Sequence, residues 1–209
     1  MAEVPTLDDD AVLWSHPEAE RGDHPLLLLL HGRGSNEGDL VSLSDRFPRG
    51  FVSASLRAPI PDGPGFSWFT MTTPGHPPQD AVDAAADAVL AWLDAQSFTP
   101  SSVGMLGFSQ GGVISLQTLR RAPERVGFAL NLSGFVAPGA EPGDDAIAQH
   151  PVFWGRGDAD VVIGPEAIAR TQDWLPTHVD LEAHVYPGLP HSISMEELGD
   201  IEEFLSARL

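Results

Sequence analysis

Short, continuously apolar segments alternate with amphipathic segments along most of this chain. The clearest is Leu26–Leu30, a run of five leucines. Apolar runs of this kind are typical of parallel strands, because such strands are covered on both faces of a sheet. The predicted strands are Ala11–Ser15, Leu26–His31, Phe51–Leu56, Ser102–Leu106, Gly127–Leu132, Val152–Trp154 and Leu181–Tyr186.

The segments between these strands carry the periodicity of helices, most clearly where apolar residues recur on one face of Ala81–Ala95. The predicted helices are Glu37–Asp45, Ala81–Ala95, Gly111–Arg121, Pro165–Leu175 and Met195–Ala207. This alternation predicts an α/β sandwich in which helices cover a mostly parallel sheet. The length of 209 residues suits one domain spanning residues 1–209. Two Pro- and Gly-rich segments, Pro59–Gln79 and Gly134–Pro151, are predicted to be irregular.

Composition and charge exclude several classes of function. The chain has 30 acidic and 11 basic residues, and its formal charge is −19. Such a charge repels nucleic acids and anionic lipids, so neither is an expected partner. The absence of cysteine excludes disulfides, thiolate catalysis and cysteine-based metal sites. No apolar run reaches the roughly 20 residues of a membrane span, and the N-terminal segment is acidic, so we expect a cytoplasmic protein without stable membrane insertion.

The segment after the leucine run, His31–Asp39, is a glycine-rich loop with two interpretations. Glycines at positions 32, 34 and 38 follow a strand, as in a dinucleotide-binding turn, and Arg57 near the end of the next strand would suit a ribose phosphate. The same arrangement is typical of the loop that holds an oxyanion in hydrolases. In the second interpretation, we expect His31 and Asp39 to hold the loop in shape.

The strongest local signal is the segment GFSQGG, which places Ser109 between an apolar strand and a helix. A nucleophile elbow requires this context, because a very tight turn projects the serine from the end of the strand. Gly107 and Gly111 remove the side chains that would clash in such a turn. Ser109 is therefore the candidate nucleophile.

A serine nucleophile needs a histidine base and a carboxylate that orients this base. In chains with this elbow, the acid and then the histidine follow the serine, each after a strand. His191, between the last predicted strand and the last predicted helix, is the candidate base. The segment GRGDADVV offers two acids. Asp160 is preferred because it leads into apolar residues that could anchor it, whereas Asp158 suits a turn, but the residues alone leave both open.

The segments HGRGSNEGDL, GFSQGG, GRGDADVV and HSISMEEL resemble, in this order and spacing, the phospholipase/carboxylesterase family of α/β-hydrolases. These are small serine esterases without a large cap domain, and they include acyl-protein thioesterases. The resemblance covers the chain from about Leu26 to its end. It implies the α/β-hydrolase fold, a triad of Ser109, Asp160 and His191, and no cofactor or metal ion. It also implies an oxyanion hole formed by the backbone N–H groups of Arg33 and Gln110.

The segment GFSWF resembles a family element near the active site, which makes Trp68 and Phe69 candidate substrate-binding residues. Ordinary packing of the loop is the alternative for both. The expected substrate is a small to medium acyl ester or thioester, because a chain of this length must form its pocket from loops. Lysophospholipase or acyl-protein thioesterase activity is an alternative, and the sequence leaves a homodimer open. A non-catalytic ligand-binding scaffold and a dinucleotide-binding oxidoreductase are disfavoured, since both leave the complete Ser, Asp and His set unexplained.

Overall fold

The computed structural model describes residues 3–71, 73 and 75–209, and it has a seven-stranded sheet at its centre. The strands are β1 (Leu13–Trp14), β2 (Leu26–Leu30), β3 (Val52–Leu56), β4 (Ile60–Asp62), β5 (Gly65–Ser67), β6 (Val103–Phe108), β7 (Phe128–Leu132), β8 (Pro151–Gly157) and β9 (Asp180–Tyr186). The central sheet has the order β1-β3-β2-β6-β7-β8-β9, and β4 pairs with β5 in a separate hairpin. β1 is antiparallel to β3, and the other neighbours in the central sheet are parallel.

Helices cover both faces of this sheet. They are α1 (Gly38–Val41), α2 (Gln79–Asp94), α3 (Gln110–Arg121), α4 (Pro165–His178) and α5 (Met195–Ser206). Apolar side chains of α2, α3 and α4 form one buried cluster with the sheet, and those of α1 and α5 form a second. The predicted mostly parallel sheet with helices on both faces is therefore confirmed. None of the described helices is long and apolar enough to cross a membrane.

The five leucines of β2 occupy the middle of the sheet, and all are fully buried. Leu26, Leu28 and Leu30 join the first cluster. Leu27 and Leu29 join the second. β2 pairs in parallel with β3 on one side and with β6 on the other, over its whole length. The loops that follow β2 and β6 therefore start side by side at the carboxyl ends of these two strands.

The segment predicted as the helix Glu37–Asp45 shows the largest departure from the predicted elements. Only Gly38–Val41 is α-helical, and Ser44–Arg46 forms a 3-10 turn. The Ser42 hydroxyl donates to the Asp39 carbonyl at 2.7 Å. Bonds of this kind between serine and the local backbone compete with helical pairing, which explains the short helix.

The other predicted elements of the central sheet and its helices are present, with shifts at their ends. β1 has only two residues, whereas Ala11–Ser15 was predicted. β8 continues past Trp154 to Gly157, and α4 continues past Leu175 to His178. The longer β8 carries the chain directly to the loop that contains the two candidate acids.

The segment Pro59–Gln79, predicted to be irregular, contains the β4–β5 hairpin. Asp62 pairs with Gly65, so the connection is a tight turn in which Gly63 has a φ of +62°. An Asp-Gly pair between two strands is a hairpin signal. The prediction missed the hairpin because each strand has only three residues and no apolar alternation.

The second segment, Gly134–Pro151, has a short 3-10 turn near Asp144 and is otherwise irregular up to Pro151, where β8 begins, as predicted. Arg120 of α3 fixes this segment. Its buried guanidinium donates to both carboxylate oxygens of Asp144 and to the Ala137 carbonyl. Charge-assisted bonds of this geometry are among the stronger ones in proteins, so the segment is irregular but anchored.

Candidate active site

Ser109 lies in the sharp turn that joins β6 to α3. Its φ of 54° and ψ of −115° form a conformation that a serine adopts only when the surrounding structure imposes it. The Ser109 N–H donates to the Leu132 carbonyl at 2.8 Å. A Cβ at Gly107 would lie 2.1 Å from the Gly111 carbonyl oxygen, and one at Gly111 would lie 1.8 Å from that of Leu30. The predicted need for glycine at both positions is confirmed, and the turn has the geometry of a nucleophile elbow.

His191 and Asp160 lie on neighbouring loops, which follow β9 and β8. His191 Nδ1 and Asp160 Oδ2 are 2.7 Å apart. The Asp160 side chain is only 2% exposed, and its other oxygen accepts from the N–H groups of Val162 and Ile163 at 2.8 and 3.3 Å. An ionised carboxylate only accepts hydrogen bonds, so Nδ1 carries the proton and the lone pair is on Nε2. This is the arrangement in which a carboxylate orients a histidine base.

Asp158, the other candidate acid, makes a different contact. Its Oδ1 accepts the Gly188 N–H at 2.6 Å, and its own N–H donates to the Tyr186 carbonyl at 3.2 Å. These two bonds connect the loop after β8 to the loop after β9. The structure thus places Asp160 beside His191, and it gives Asp158 the turn contact that the sequence suggested.

The Phe108 ring connects the positions of Ser109 and His191. Phe108 directly precedes Ser109, and its ring centroid lies 4.8 Å from that of His191. Gly32, in the loop after β2, lies close to both Phe108 and Ser109. A Cβ at Gly32 would lie 3.1 Å from Phe108 Cδ1 and 3.5 Å from Ser109 Cβ. Ser109, the His191 ring and the loop after β2 therefore meet at the carboxyl ends of the parallel strands.

Buried hydrogen bonds hold the loop after β2 in shape. His31 is fully buried, with its Nδ1 2.7 Å from the Gly32 carbonyl, and its Nε2 accepts the Ala58 N–H at 3.1 Å. The ring is therefore neutral with the proton on Nδ1, and burial lowers the pKa of His31. The Ser35 hydroxyl donates to Asp39 Oδ2 at 2.8 Å. The structural roles predicted for His31 and Asp39 are confirmed.

The β4–β5 hairpin supports the same loop through its backbone. The Gly34 N–H donates to the Phe66 carbonyl, and the Phe66 N–H donates to the Ser35 carbonyl, both at 2.8 Å. A Cβ at Gly65 would lie 2.2 Å from the Gly34 carbonyl oxygen. Hairpin and loop thus pack backbone against backbone, which requires glycine at position 65.

The backbone N–H groups of Arg33 and Gln110 are the two predicted oxyanion donors. Gln110 follows Ser109 at the N-terminus of α3, and Arg33 follows Gly32, which borders on Ser109. No described residue accepts a hydrogen bond from either N–H group. The Arg33 side chain pairs with the hairpin, where its Nε lies 2.8 Å from Asp62 Oδ2. An oxyanion hole formed by these two donors stays a prediction.

The predicted substrate-binding residues Trp68 and Phe69 are both buried, with 1% exposure each. The Trp68 indole N–H donates to the His31 carbonyl at 2.8 Å, so this residue supports the loop after β2. Burial favours the packing alternative for Trp68. Phe69 also borders a cavity of about 170 Å³ beside Arg33, so its contact with substrate stays a prediction.

The Gln110 side chain has a structural role that the sequence did not reveal. It accepts the Trp68 N–H at 2.9 Å and donates to the Phe69 carbonyl at 2.7 Å. The motif GFSQGG places a glutamine after the nucleophile, but it does not indicate which distant segment that glutamine contacts. Gln110 thus joins the elbow to the segment that follows the hairpin.

A cavity of about 310 Å³ opens beside the candidate base. It is bordered by Asp39, Leu40, Ser42, Leu43, Phe108, His191, Ser192 and Ile193. A larger cavity of about 530 Å³ lies near Val103, at the opposite end of β6, and includes none of the predicted site residues.

Within residues 3–71, 73 and 75–209, no three His, Asp or Glu side chains are grouped so that they could hold a metal ion.

A second buried acid lies in α5, the helix after the His191 loop. Glu197 is fully buried, and no described residue forms a hydrogen bond with its carboxylate oxygens. The Ser194 hydroxyl caps the helix by accepting the Glu197 N–H at 3.0 Å. A Cβ at Gly155 would lie 2.3 Å from Glu197 Oε1, so the carboxyl packs directly against β8. Burial raises the pKa of Glu197 to about 7.

Known proteins share this fold and sequence pattern. A family model described as phospholipase/carboxylesterase matches residues 17–209. Acyl-protein thioesterase 1 of Kluyveromyces lactis is 25% identical over 88% of this chain and 92% of that protein, and the probable carboxylesterase SOBER1-like of Arabidopsis thaliana is 29% identical over 95% and 78%. A crystal structure of a carboxylesterase from Mesorhizobium loti has the same fold, with a TM-score of 0.81 at 23% identity over 98% of this chain and 99% of that one. The chain therefore belongs to the phospholipase/carboxylesterase family of α/β-hydrolases, as its motifs predicted, and is a hydrolase of carboxylic ester bonds.

Proposed function

We propose that the protein is a serine carboxylesterase or thioesterase that hydrolyses small to medium acyl esters through Ser109, His191 and Asp160. The observation that carries this proposal is the 2.7 Å contact between His191 Nδ1 and Asp160, beside a serine in elbow geometry. A serine hydroxyl is a poor nucleophile near neutral pH, and an oriented histidine supplies the base that it needs.

In the first half-reaction, His191 Nε2 takes the proton of the Ser109 hydroxyl as its oxygen attacks the carbonyl carbon of the substrate. Asp160 holds the imidazole in the required tautomer and stabilises the imidazolium that forms. The N–H groups of Arg33 and Gln110 donate to the oxyanion, and these bonds strengthen as negative charge develops. His191 then gives the proton to the departing alcohol or thiol, and the acyl group remains on Ser109.

The second half-reaction releases the acid. A water molecule gives its proton to His191 Nε2 while its oxygen attacks the carbonyl carbon of the acyl-enzyme. Collapse of the second tetrahedral intermediate breaks the bond to Ser109, which recovers its proton from the imidazolium. Each half-reaction needs a neutral imidazole at its start, because only an unprotonated Nε2 can accept the proton of the attacking hydroxyl or water.

The cavity beside His191 supports small to medium acyl groups as substrates. Its volume of about 310 Å³ is at the lower end of the range for ligand pockets, about 300–1,000 Å³, and several of its bordering side chains are apolar. Acyl-protein thioesterase or lysophospholipase activity is the second candidate, since one relative is named as an acyl-protein thioesterase.

We expect kcat/KM for p-nitrophenyl esters to be highest at short or medium acyl chains. A maximum at palmitate, at long-chain acyl thioesters or at lysophospholipids would favour the second candidate.

Labelling with a fluorophosphonate, which reacts with activated serines, tests the nucleophile. We expect the wild type to be labelled and Ser109→Ala to remain unlabelled. Ser133→Ala is the matched control, because Ser133 also has a positive φ, 48°, but lies outside the elbow. Labelling of Ser109→Ala, or an unlabelled but folded wild type, would contradict the proposal.

A further inference from the structure

β9 is the last strand of the central sheet, and its outer edge is open. Within the described part of the chain, its one partner is β8, with which all seven of its residues pair. The strand at the opposite end of the sheet, β1, has only two residues. A long edge presents backbone groups that readily pair with another strand. β9, with the sequence DLEAHVY, contains no proline, the residue that cannot donate a backbone hydrogen bond to a pairing strand.

Two hydrogen bonds establish which backbone groups of β9 face outward. The Asp180 N–H donates to the residue that precedes β8, and the Tyr186 carbonyl accepts from the residue that follows β8. Both residues therefore direct their backbone groups toward β8. Because this direction alternates along a strand, Leu181, Ala183 and Val185 direct their N–H and C=O groups outward.

The side chains of β9 are complementary to a second copy of the same strand. Two antiparallel copies related by a two-fold axis place residues of the same face opposite each other. With Ala183 on the axis, Leu181 lies opposite Val185 of the second copy. In the same register Glu182 lies opposite His184, so apolar side chains meet apolar ones and each carboxylate meets an imidazole. An axis at Glu182 would instead oppose two carboxylates, and an axis at His184 would oppose two imidazoles.

Most of the side chains that would meet across this axis are accessible, although Leu181 packs partly against the first buried cluster. Val185 is 50% exposed, although it is a large apolar residue, and Ala183 is also exposed. The side chains of Glu182 and His184 are 43% and 35% exposed. Within one chain, Glu182 Oε1 already lies 3.1 Å from His184 Nε2, so the two groups are compatible neighbours.

We propose that β9 pairs with β9 of a second copy, centred on Ala183, and that this pairing extends the sheet across a two-fold symmetric dimer. Each outward N–H of one copy then donates to an outward carbonyl of the other. The charge of −19 on each chain opposes association. Because salt screens this repulsion, the dimer is tighter at high ionic strength. The inference is independent of the proposed function.

Sedimentation velocity over a range of concentrations tests this dimer in two variants of one residue. Ala183→Pro removes the donor on the axis, and because this N–H faces away from β8, the edge strand tolerates the proline. We expect its dimer dissociation constant to rise by about 100-fold or more, since a proline on the axis removes donors from both copies and cannot pair there. Ala183→Thr is the matched control. It keeps the N–H and suits an exposed strand, so it stays dimeric.

A wild type that is monomeric at high concentration and high salt would overturn the proposal, and so would an Ala183→Pro variant as dimeric as the wild type. If circular dichroism shows that Ala183→Pro does not fold, hydrogen exchange of the wild type decides. The amides of Leu181, Ala183 and Val185 must become protected as the concentration rises through the dissociation constant. Unchanged exchange at these three amides would exclude the pairing.

Discussion

Both carboxylate oxygens of Asp160 form hydrogen bonds, one with His191 and the other with the backbone of its own loop. One oxygen lies 2.7 Å from His191 Nδ1, and the other accepts from the N–H groups of Val162 and Ile163. Rotation of the side chain would break all of these contacts together. The carboxylate is therefore fixed in the orientation that aligns the imidazole with its Nε2 lone pair available.

We expect Asp160→Asn to lower kcat by about 10³- to 10⁴-fold, because an amide N–H facing Nδ1 favours the wrong tautomer of His191. Asp158→Asn is the matched control, since asparagine still accepts the Gly188 N–H and leaves the Asp160 contact in place. We expect its kcat to change by less than about tenfold, because no group that acts in the transition state is lost. Steady-state kinetics with a p-nitrophenyl ester measures both variants, and equal losses would argue against Asp160 as the acid.

Glu197 links stability to pH, because its pKa is about 7 in the folded chain against an ordinary value of 4.5. Between these pH values the folded chain holds a proton that the unfolded chain has released. The free energy of unfolding therefore falls as pH rises through this window. Above this pH window, the loss in the free energy of unfolding is complete and is on the order of 3 kcal/mol.

We expect Glu197→Gln to gain about 3 kcal/mol of stability relative to the wild type between about pH 4.5 and pH 8, since glutamine does not ionise. Urea denaturation at both pH values measures the difference, and the other titratable groups cancel because both proteins share them. Glu196→Gln, at an exposed neighbouring position, is the matched control and should show no such gain. A difference between Glu197→Gln and the wild type that does not vary with pH would show that Glu197 does not titrate in this range.

At the scale of elements, the β4–β5 hairpin and the start of α3 support the loop after β2 together. The hairpin pairs with the loop through Gly34, Ser35 and Phe66. Gln110 binds the two residues that follow the hairpin, Trp68 and Phe69. The predicted oxyanion donors therefore depend on three elements that are distant in the chain.

We expect Gln110→Ala to lower both stability and kcat. It leaves the Trp68 N–H and the Phe69 carbonyl buried without a partner, at a cost of roughly 1–3 kcal/mol for each group. The backbone N–H of residue 110 remains, so any loss in kcat reflects displacement of the supported loop. Urea denaturation and steady-state kinetics measure the two effects, with exposed Gln149→Ala as the control. A normal kcat in the destabilised variant would show that the hairpin does not position the oxyanion donors.

The sequence predicted those elements whose signal is local. The leucines of β2, the periodic apolar face of α2 and the glycines around Ser109 each reflect constraints within a few neighbouring residues. The contact between Gln110 and Trp68 joins residues 42 positions apart, and no local pattern encodes it. Asp160 could be preferred over Asp158 from its apolar neighbours, but its pairing with His191, 31 positions away, required the fold.

For the whole molecule, the excess of acids dominates the electrostatics. Thirty acidic residues face eleven arginines. Some arginines are shared among several acids, as in Arg121, which lies within 4 Å of Asp83, Asp87 and Glu141. Ion pairs on the open surface contribute little to stability, whereas the uncompensated charges repel one another most strongly in the compact state.

We therefore expect added NaCl to raise the free energy of unfolding, because screening weakens this repulsion more than it weakens the ion pairs. Urea denaturation of the monomer at low and high NaCl concentrations measures the effect. A neutral solute at equal osmolality controls for exclusion of solute from the protein surface. Lower stability at high salt would mean that the ion pairs outweigh the repulsion.

The order of the strands in the sheet is a property of the whole molecule that strand spacing does not determine. Alternating strands and helices predict a parallel sheet, but a crossover can place the next strand on either side of the previous one. Here β3 lies on one side of β2 and β6 on the other. The nucleophile elbow after β6 and the predicted oxyanion loop after β2 must lie on neighbouring strands to act together, and β2 and β6 are neighbours here.

The position of β2 between β3 and β6 also affects how a newly made chain folds. β3 is synthesised soon after the five leucines, but the strand that covers their other edge begins only at Val103. Until then, an uncharged apolar strand has one open edge, and such segments initiate aggregation in incompletely folded chains. Recovery of native protein after dilution from denaturant therefore falls as chain concentration rises. The strand that precedes the predicted oxyanion loop thus keeps one unpaired edge until β6 has been synthesised.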